Sequence, residues 1–262
     1  MLSTLVTRLD NIALHGTNVI PWSCPVPSFG DLSRSKIATL GLNPSNREFV
    51  DESGNELDGP SRRFHTLKSL GLANWTDAED QHLNLIMDSC RAYFSRNPYD
   101  GWFKRLDHII SGTNVSYYGE SAEACHLDLI PYATACKWTE LTRDQRSALL
   151  TFAGDTLAIL LKESPVKLLV LNGNSVVEQF QEIANIELEK QEMSDWSLPR
   201  RATPDVMGFA YTGFVRTLSG IELDHEILVL GFNHNIQSSF GVTKEVMAAI
   251  RKWVAYTAAK LS

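Results

Sequence analysis

Apolar residues along the chain form two kinds of pattern, short continuous runs and longer runs with helical spacing. A continuous run such as residues 168–171 is typical of a strand buried on both faces of a parallel sheet. Several segments contain or end in such a run. We predict strands at residues 36–41, 126–130, 166–171, 208–218 and 226–232.

The segments between these strands repeat their apolar residues with the 3.6-residue period of amphipathic helices. Thr76 and Thr142 are candidate N-caps, and the spacing of Thr142 and Gln145 is that of a capping box. Further helical runs cover residues 102–110 and 243–259. Strands that alternate with helices predict an α/β fold, a three-layer α/β/α domain with a mainly parallel central sheet.

We expect residues 1–262 to form a single domain, because no Pro-, Gly- or Ser-rich linker separates the periodic segments. Residues 1–25 precede the first strand and are interpreted as an N-terminal extension. Residues 186–204 are polar and charged and contain two prolines, Pro199 and Pro204. We therefore interpret them as an insertion or a long loop.

Composition narrows the class of protein. A hydrophobic content of 44% is enough for a large core and excludes a disordered or collagen-like chain. The N-terminus has no apolar run like that of a signal peptide, and no segment approaches the roughly 20 apolar residues that span a bilayer. We expect a monomer in the cytoplasm without membrane contact.

The cysteines, at positions 24, 90, 125 and 136, are too far apart for a Cys-x-x-Cys metal site and too few for a disulfide scaffold. We expect reduced thiols, no metal and no cofactor. The formal net charge of −7 opposes non-specific binding to nucleic acid, which depends on Lys and Arg. A local basic rim and backbone N–H groups can still hold DNA on an acidic protein.

Polar residues follow the apolar runs at four predicted strand ends, in segments 41–46, 128–134, 171–175 and 231–239. Ligands of open parallel sheets bind outside the carboxyl ends of the strands, so these segments are the first candidates for a site. The first contains Gly41-Leu42-Asn43-Pro44-Ser45, and the last contains His234.

The first of these segments resembles the Gly-x-Asn-Pro-Gly motif of mismatch-specific and single-strand-selective uracil-DNA glycosylases. The loop at His234 resembles the His-Pro-Ser loop of the uracil-DNA glycosylase superfamily. The order of the motifs is similar to that of the superfamily from about residue 26 to residue 254. The sequence departs from the pattern at Ser45, where the family has Gly, and at Asn235, where it has Pro.

The resemblance implies a monofunctional DNA glycosylase, which hydrolyses the N-glycosidic bond of a flipped-out pyrimidine and leaves an abasic site. It implies that Asn43 positions the attacking water and that His234 stabilises the departing base. Residues expected to contact single- or double-stranded DNA are Ser45, Asn235, Gln237, Ser238, Ser239 and Phe240, with Gln237 or Phe240 as the wedge.

Candidates for contact with the base are Asn46, Phe49, Asp128 and Tyr132. At the middle strand, where classical uracil readers have an Asn, this chain has Asp128. A carboxylate accepts hydrogen bonds and suits the exocyclic amine of a cytosine better than the carbonyl of uracil. Each residue also has an ordinary structural interpretation. Asn43 suits a turn, Asp128 a helix cap or an ion pair, His234 a structural histidine, and both aromatics the core.

Our leading hypothesis is excision of a modified cytosine, glucosylated hydroxymethylcytosine, from phage DNA as an anti-phage defence, since the chain is similar to bacterial glycosylases of that type. A uracil or mismatch repair glycosylase is the nearest alternative. Two further alternatives are a nucleoside or nucleotide hydrolase, which the acidic composition suits, and a non-catalytic nucleic-acid-binding module.

Overall fold

The computed structural model describes residues 1–11, 14–96, 100–119, 122–200, 204–237, 239 and 241–260. A six-stranded sheet with the order β2-β1-β3-β6-β5-β4 runs through its centre. The strands are β1 (Ile37–Gly41), β2 (Ala124–Asp128), β3 (Leu168–Asn172), β4 (Glu189–Leu198), β5 (Val206–Leu218) and β6 (Ile221–Phe232).

Helices flank the sheet, and the molecule has the predicted α/β architecture with helix, sheet and helix layers. The helices are α1 (Leu2–Arg8), α2 (Leu67–Leu70), α3 (Asp80–Arg91), α4 (Tyr93–Arg96), α5 (Asp100–Ile110), α6 (Arg143–Ala153), α7 (Thr156–Lys162), α8 (Asn174–Ala184) and α9 (Lys244–Ala259). Short 3-10 turns connect several of them, among them the turn Asn46–Glu48 that follows β1.

The four strands β2, β1, β3 and β6 are parallel, which confirms the mainly parallel sheet. Each of β2 and β3 is buried along its whole length, as expected for strands covered on both faces. Strand β2 begins two residues before the predicted strand and ends at Asp128. Leu129 and Ile130 leave it but remain buried, and their N–H groups bond the carbonyls of Gly41 and Leu42.

The interpretation of residues 186–204 as a long loop was wrong, because most of them form β4. This edge strand pairs with β5 in the antiparallel direction and exposes polar side chains on both faces over its first half. When both faces of an edge strand are exposed to solvent, apolar and polar residues do not alternate along it, so its sequence resembles that of a loop. Trp196 and Leu198 at its end are buried and anchor it.

Helix boundaries differ from the sequence pattern at two points. Thr76 lies in a 3-10 turn, and α3 begins later with Glu79 as its N-cap. The run from Thr142 is capped as predicted, with Gln145 completing the capping box, but it divides into α6 and α7 at Gly154. The hydroxyl of Ser219 donates to the Gly154 carbonyl at 2.8 Å and stabilises the break.

The first residues of the chain pack against the domain core. Leu5 and Val6 of α1 are buried, and the Leu5 carbonyl accepts a hydrogen bond from the Tyr132 hydroxyl at 2.9 Å. The guanidinium of Arg8 binds both carboxylate oxygens of Asp155 at 2.7 Å. None of the helices in the described part of the chain has the length and hydrophobicity needed to span a membrane.

Candidate functional site

A cavity of about 300 Å³ lies at the carboxyl ends of β1, β2 and β3, the sheet edge where ligands bind in open α/β folds. Aromatic side chains form much of its wall, and a small number of polar groups converge on it. Its polar lining includes Asn43, Ser45, Asn46, Glu48, His126, Asp128, Asn172 and Asn235.

The amide of Asn43 is held in one orientation. Its Nδ2 donates to the Pro44 carbonyl at 3.1 Å and to the Thr134 hydroxyl at 2.9 Å. The Thr134 hydroxyl gives its own proton to the Cys136 carbonyl at 2.7 Å, so towards Asn43 it can only accept. No residue in the described ranges donates to Asn43 Oδ1, which is left to accept from a water or ligand in the cavity.

Ser45 and Asn46 line the cavity beside Asn43 and organise the loop. Ser45 caps the 3-10 turn by accepting from the Arg47 N–H at 3.2 Å. The side chain of Asn46 donates to the Ala135 carbonyl at 3.2 Å, which joins this loop to the segment after β2. Both residues therefore lie at the site, and their visible contacts are with the protein itself.

His126 and Asp128 point from β2 into the cavity and are both buried. The distance between His126 Nε2 and Asp128 Oδ1 is 3.5 Å. Gly41 faces Asp128 across the β1–β2 pair, and a Cβ at this glycine would lie 2.4 Å from Asp128 Oδ1 and 2.9 Å from His126 Nε2. Any side chain at position 41 would displace the pair, so glycine is required by close approach.

A buried chain of hydroxyl groups determines which nitrogen of His126 carries the proton. Thr39 Oγ1 bonds both the Tyr117 hydroxyl and His126 Nδ1, the latter at 2.7 Å. If Tyr117 donates to Thr39 and Thr39 donates to Nδ1, both of these hydroxyl protons have an acceptor. The reverse direction leaves the Tyr117 proton without one among the described residues. We therefore assign the proton to Nε2, the nitrogen that faces Asp128 and the cavity.

Three aromatic rings enclose the imidazole of His126. The ring centroids of Trp102 and Phe103 lie 5.3 Å from it, and that of Phe29 lies 5.5 Å away. All three aromatic residues also line the cavity. The result is a flat-walled, largely apolar space with an N–H donor and a carboxylate acceptor at its side.

Glu48 is a further cavity residue that was absent from the predicted site. Its carboxyl group is buried, and both oxygens accept from the Tyr93 hydroxyl, at 3.0 and 3.1 Å. Arg63 Nη1 lies 3.8 Å away. Burial raises the pKa of Glu48 from 4.5 to about 7, although Arg63 and Tyr93 oppose the rise, and the charge of Asp128 adds to it.

Sequence reasoning missed Glu48 because a charged residue in a polar loop is ordinarily solvated. A glutamate two residues after Asn46, in a polar loop, has no periodic pattern to mark it as buried. The one available indication was the neighbouring Phe49, because an apolar residue that is buried in the core brings the adjacent residues of its loop towards the core. That signal is shared by many ordinary loops.

The predicted role of His234 is not supported by its placement. The side chain is buried, and it is not among the residues that line the cavity. Its Nε2 bonds the Trp196 carbonyl at 2.7 Å, and a carbonyl can only accept, so the Nε2 proton is used within the fold. Burial lowers the pKa of His234 below its ordinary value, which keeps the ring neutral. Among the described residues of this loop, Asn235 lines the cavity.

The loop after β6 is held by side-chain amides. Asn172 at the end of β3 accepts from the Ile236 N–H at 3.0 Å and donates to Gln237 Oε1 at 2.7 Å. Gln237 in turn donates to the Trp102 carbonyl at 3.2 Å, which ties the loop to α5. Gln237 is thereby engaged inside the molecule, which does not favour it as a wedge. Ser239, the next described residue, is half-buried, and its N–H bonds the Asn235 carbonyl.

The other candidate for the wedge, Phe240, lies outside the described residues, as does Ser238. Phe49 and Tyr132, expected to contact the base, are core residues instead. The ring of Phe49 packs edge-on against Trp22, Tyr132 bonds α1, and neither aromatic residue lines the cavity. Both are almost fully buried, so their surfaces are already used by the fold.

The sequence matches no protein-family model, and no curated protein is significantly similar to it. Within the described residues, no group of three or more His, Cys, Asp and Glu side chains is arranged to hold a metal ion.

Proposed function

We propose that this protein hydrolyses the N-glycosidic bond of a pyrimidine nucleotide whose base occupies the cavity. The observation that carries the proposal is that an amide oriented to hold a water and a donor–acceptor pair suited to a base edge line one aromatic-walled cavity, through Asn43, His126 and Asp128. The volume of about 300 Å³ is at the lower end of the range for small-molecule sites.

Asn43 supplies what this reaction needs from the protein on the sugar side. Breaking a base–sugar bond generates an oxocarbenium-like sugar, which reacts readily with a correctly placed water. An amide oxygen can accept a hydrogen bond from that water without being a strong base. Because Thr134 and Pro44 already hold the nitrogen of the amide, the oxygen is available for this role at no cost in reorganisation.

His126 and Asp128 supply the contacts to the base. An Nε2–H donor beside a carboxylate acceptor is complementary to the ring nitrogen and exocyclic amine of a cytosine. The same pair can accept the N3–H of uracil and donate to one of its carbonyls. With cytosine, the Asp128 carboxylate accepts a hydrogen bond from the exocyclic amine. We therefore place modified cytosine, including the glucosylated hydroxymethylcytosine of phage DNA, ahead of uracil.

DNA is the substrate that we propose for the site, and a base in a stacked duplex must be flipped out to enter it. Lys137 is exposed at the cavity and is suited to meet a backbone phosphate. On a chain with a formal net charge of −7, such local contacts take the place of a broad basic face. The proposed product is an abasic site, with defence against phage DNA as the proposed biological role.

The test is base release from defined oligonucleotides. Single- and double-stranded DNA carrying cytosine, hydroxymethylcytosine, glucosylated hydroxymethylcytosine or uracil would be incubated with the protein, and abasic sites would be cleaved with alkali. We expect cleavage at one of these bases, lost in Asn43→Ala and retained in the exposed control Asn55→Ala. Absence of cleavage in every oligonucleotide would refute the DNA reaction.

A free nucleoside is the second candidate substrate, favoured by the excess of acidic residues. The same samples would therefore include nucleosides, with released base measured by chromatography. Base release from nucleosides but not from DNA would support hydrolysis of the same N-glycosidic bond and would make free nucleosides the substrate. If neither form is hydrolysed, the cavity belongs to a binding module.

A further inference from the structure

We propose that Glu48 is the general acid of this cavity, and that its carboxyl proton moves to the departing base as the base–sugar bond breaks. The inference rests on the proposed function and adds a catalytic residue to it. Glu48 follows Asn43 on the same loop, so one segment would bring both the group that places the water and the group that protonates the base.

The position of Glu48 combines burial with a place in the cavity wall. Its side chain is about 5% exposed, yet it lines the cavity together with His126 and Asp128. Its partners are the Tyr93 hydroxyl, which donates to both carboxyl oxygens, and Arg63, which forms an ion pair with Oε2 at 3.8 Å.

Two carboxyl groups, those of Glu48 and Asp128, line the same cavity but have different neighbours. Asp128 lies beside the Nε2–H of His126 at 3.5 Å, whereas Glu48 accepts from the Tyr93 hydroxyl and pairs with Arg63 at 3.8 Å. Burial, together with the charge of Asp128, raises the pKa of Glu48 to about 7. A carboxylic acid that keeps its proton near neutral pH is the group that glycoside hydrolysis uses to protonate a leaving group.

The groups around Glu48 keep its proton exchangeable at neutral pH. Tyr93 and Arg63 both stabilise the ionised form and therefore oppose the rise caused by burial. Aromatic packing fixes the tyrosine, whose ring stacks on Phe64 with centroids 5.3 Å apart and meets the edge of Phe29 at 4.9 Å. The pKa of the acid is thereby held near the working pH, where general acid catalysis is most efficient.

The proposed step balances as follows. The O–H bond of Glu48 breaks and its proton goes to a ring nitrogen or carbonyl oxygen of the base, while the electron pair of the C1′–N1 bond stays with the base. The oxygen of the water placed by Asn43 forms the new bond to C1′ and releases a proton to solvent. Glu48 takes a proton back from solvent before the next turnover, so no other reactant is consumed.

The experiment compares Glu48→Gln with Glu52→Gln, the same change at an exposed position on the same loop. For the wild type we expect base release to be constant below pH 7 and to fall about tenfold per pH unit above it, since the active form is the neutral acid. Glu48→Gln should lower the rate by roughly 10² to 10⁴-fold and abolish this pH dependence. Glu52→Gln should change neither.

Tyr93→Phe is the second variant, and it tests the acid without removing it. Loss of the tyrosine hydroxyl removes a group that stabilises the ionised form, so the alkaline limb should move to higher pH. A structural role for Glu48 predicts lower activity without movement of this limb. Wild-type rates and an unchanged pH profile in Glu48→Gln would overturn the proposal.

Carbon-13 NMR of glutamate-labelled protein separates failure of this inference from failure of the proposed function. One carboxyl should titrate near pH 7 without substrate, and its signal should be missing in Glu48→Gln. If Glu48 titrates near 4.5, its proposed role as the general acid would be overturned even if the wild type releases bases. A titration near 7 in a protein that releases no base from DNA or nucleosides would refute the glycosidic reaction itself, and the acid with it.

Discussion

The stability of the folded protein should depend on pH through Glu48. In the unfolded chain this carboxyl ionises near 4.5, and in the fold its pKa is about 7. Between these values the unfolded chain loses a proton that the folded protein keeps, so the free energy of unfolding falls as the pH rises. The difference of about 2.5 pKa units corresponds to a cost of ~3 kcal/mol, complete above pH 7 and absent below about 4.5.

Glu48→Gln removes this titration while keeping the shape of the side chain. The measurement is urea unfolding of the wild type, Glu48→Gln and the exposed control Glu52→Gln at pH values from 4.5 to 8. Relative to the wild type, Glu48→Gln should become more stable by ~3 kcal/mol as the pH rises through this window. Glu52→Gln should follow the wild type throughout.

Parallel curves for the wild type and Glu48→Gln would refute the reasoning, because they would mean that Glu48 ionises alike in the folded and unfolded states. A difference of the opposite sign would mean that Arg63 and Tyr93 outweigh burial. Either result would be obtained without any substrate and would therefore be independent of the reaction proposed for the cavity.

Two residues at the cavity and the buried His234 each give a further prediction. Asn43→Ala should lower base release by at least ~10²-fold, because the attacking water is no longer placed, and should reduce the unfolding free energy by only ~1 kcal/mol through loss of its hydrogen bonds. A lower rate that is explained entirely by unfolding of the variant would contradict this role. Gly41→Ala should destabilise by ~1–3 kcal/mol, because its Cβ would lie 2.4 Å from Asp128 Oδ1, and should abolish base release even in samples shown to be folded. His234→Ala should destabilise by ~1–3 kcal/mol by leaving the buried Trp196 carbonyl unpaired, which thermal unfolding can measure. Its base release, measured where the variant is folded, should stay near that of the wild type.

The elements that were predicted well carry a strong local signal. The run at β3 is continuously apolar over residues 168–171, and this pattern is sufficient for a strand buried on both faces. Thr142 with Gln145 is a capping box whose chemistry depends on four consecutive residues. Asn43 was found for a similar reason, since the polar residues directly after a buried strand of a parallel sheet lie at its ligand-binding edge.

The parts that were missed depend on contacts between distant segments. Strand β4 is defined by its pairing with β5 and has no amphipathic pattern of its own. His234 stands after a buried strand, as Asn43 does, but Trp196 captures its ring from β4, so Asn235 reaches the cavity instead. Nothing in the local sequence distinguishes these two fates, because they are decided by a carbonyl 38 positions away.

The amino-acid sequence by itself determined the α/β class, the mainly parallel sheet and the sheet edge at which polar groups gather, because these follow from local hydrophobic periodicity. The tertiary structure decided which of those groups share a cavity and in which state they are held. Burial raises the pKa of Glu48. The absence of a Cβ at Gly41 leaves room for the side chains of Asp128 and His126, and Phe49 is buried in the core. Desolvation and close packing depend on everything around a side chain, so they appear only once the chain has folded.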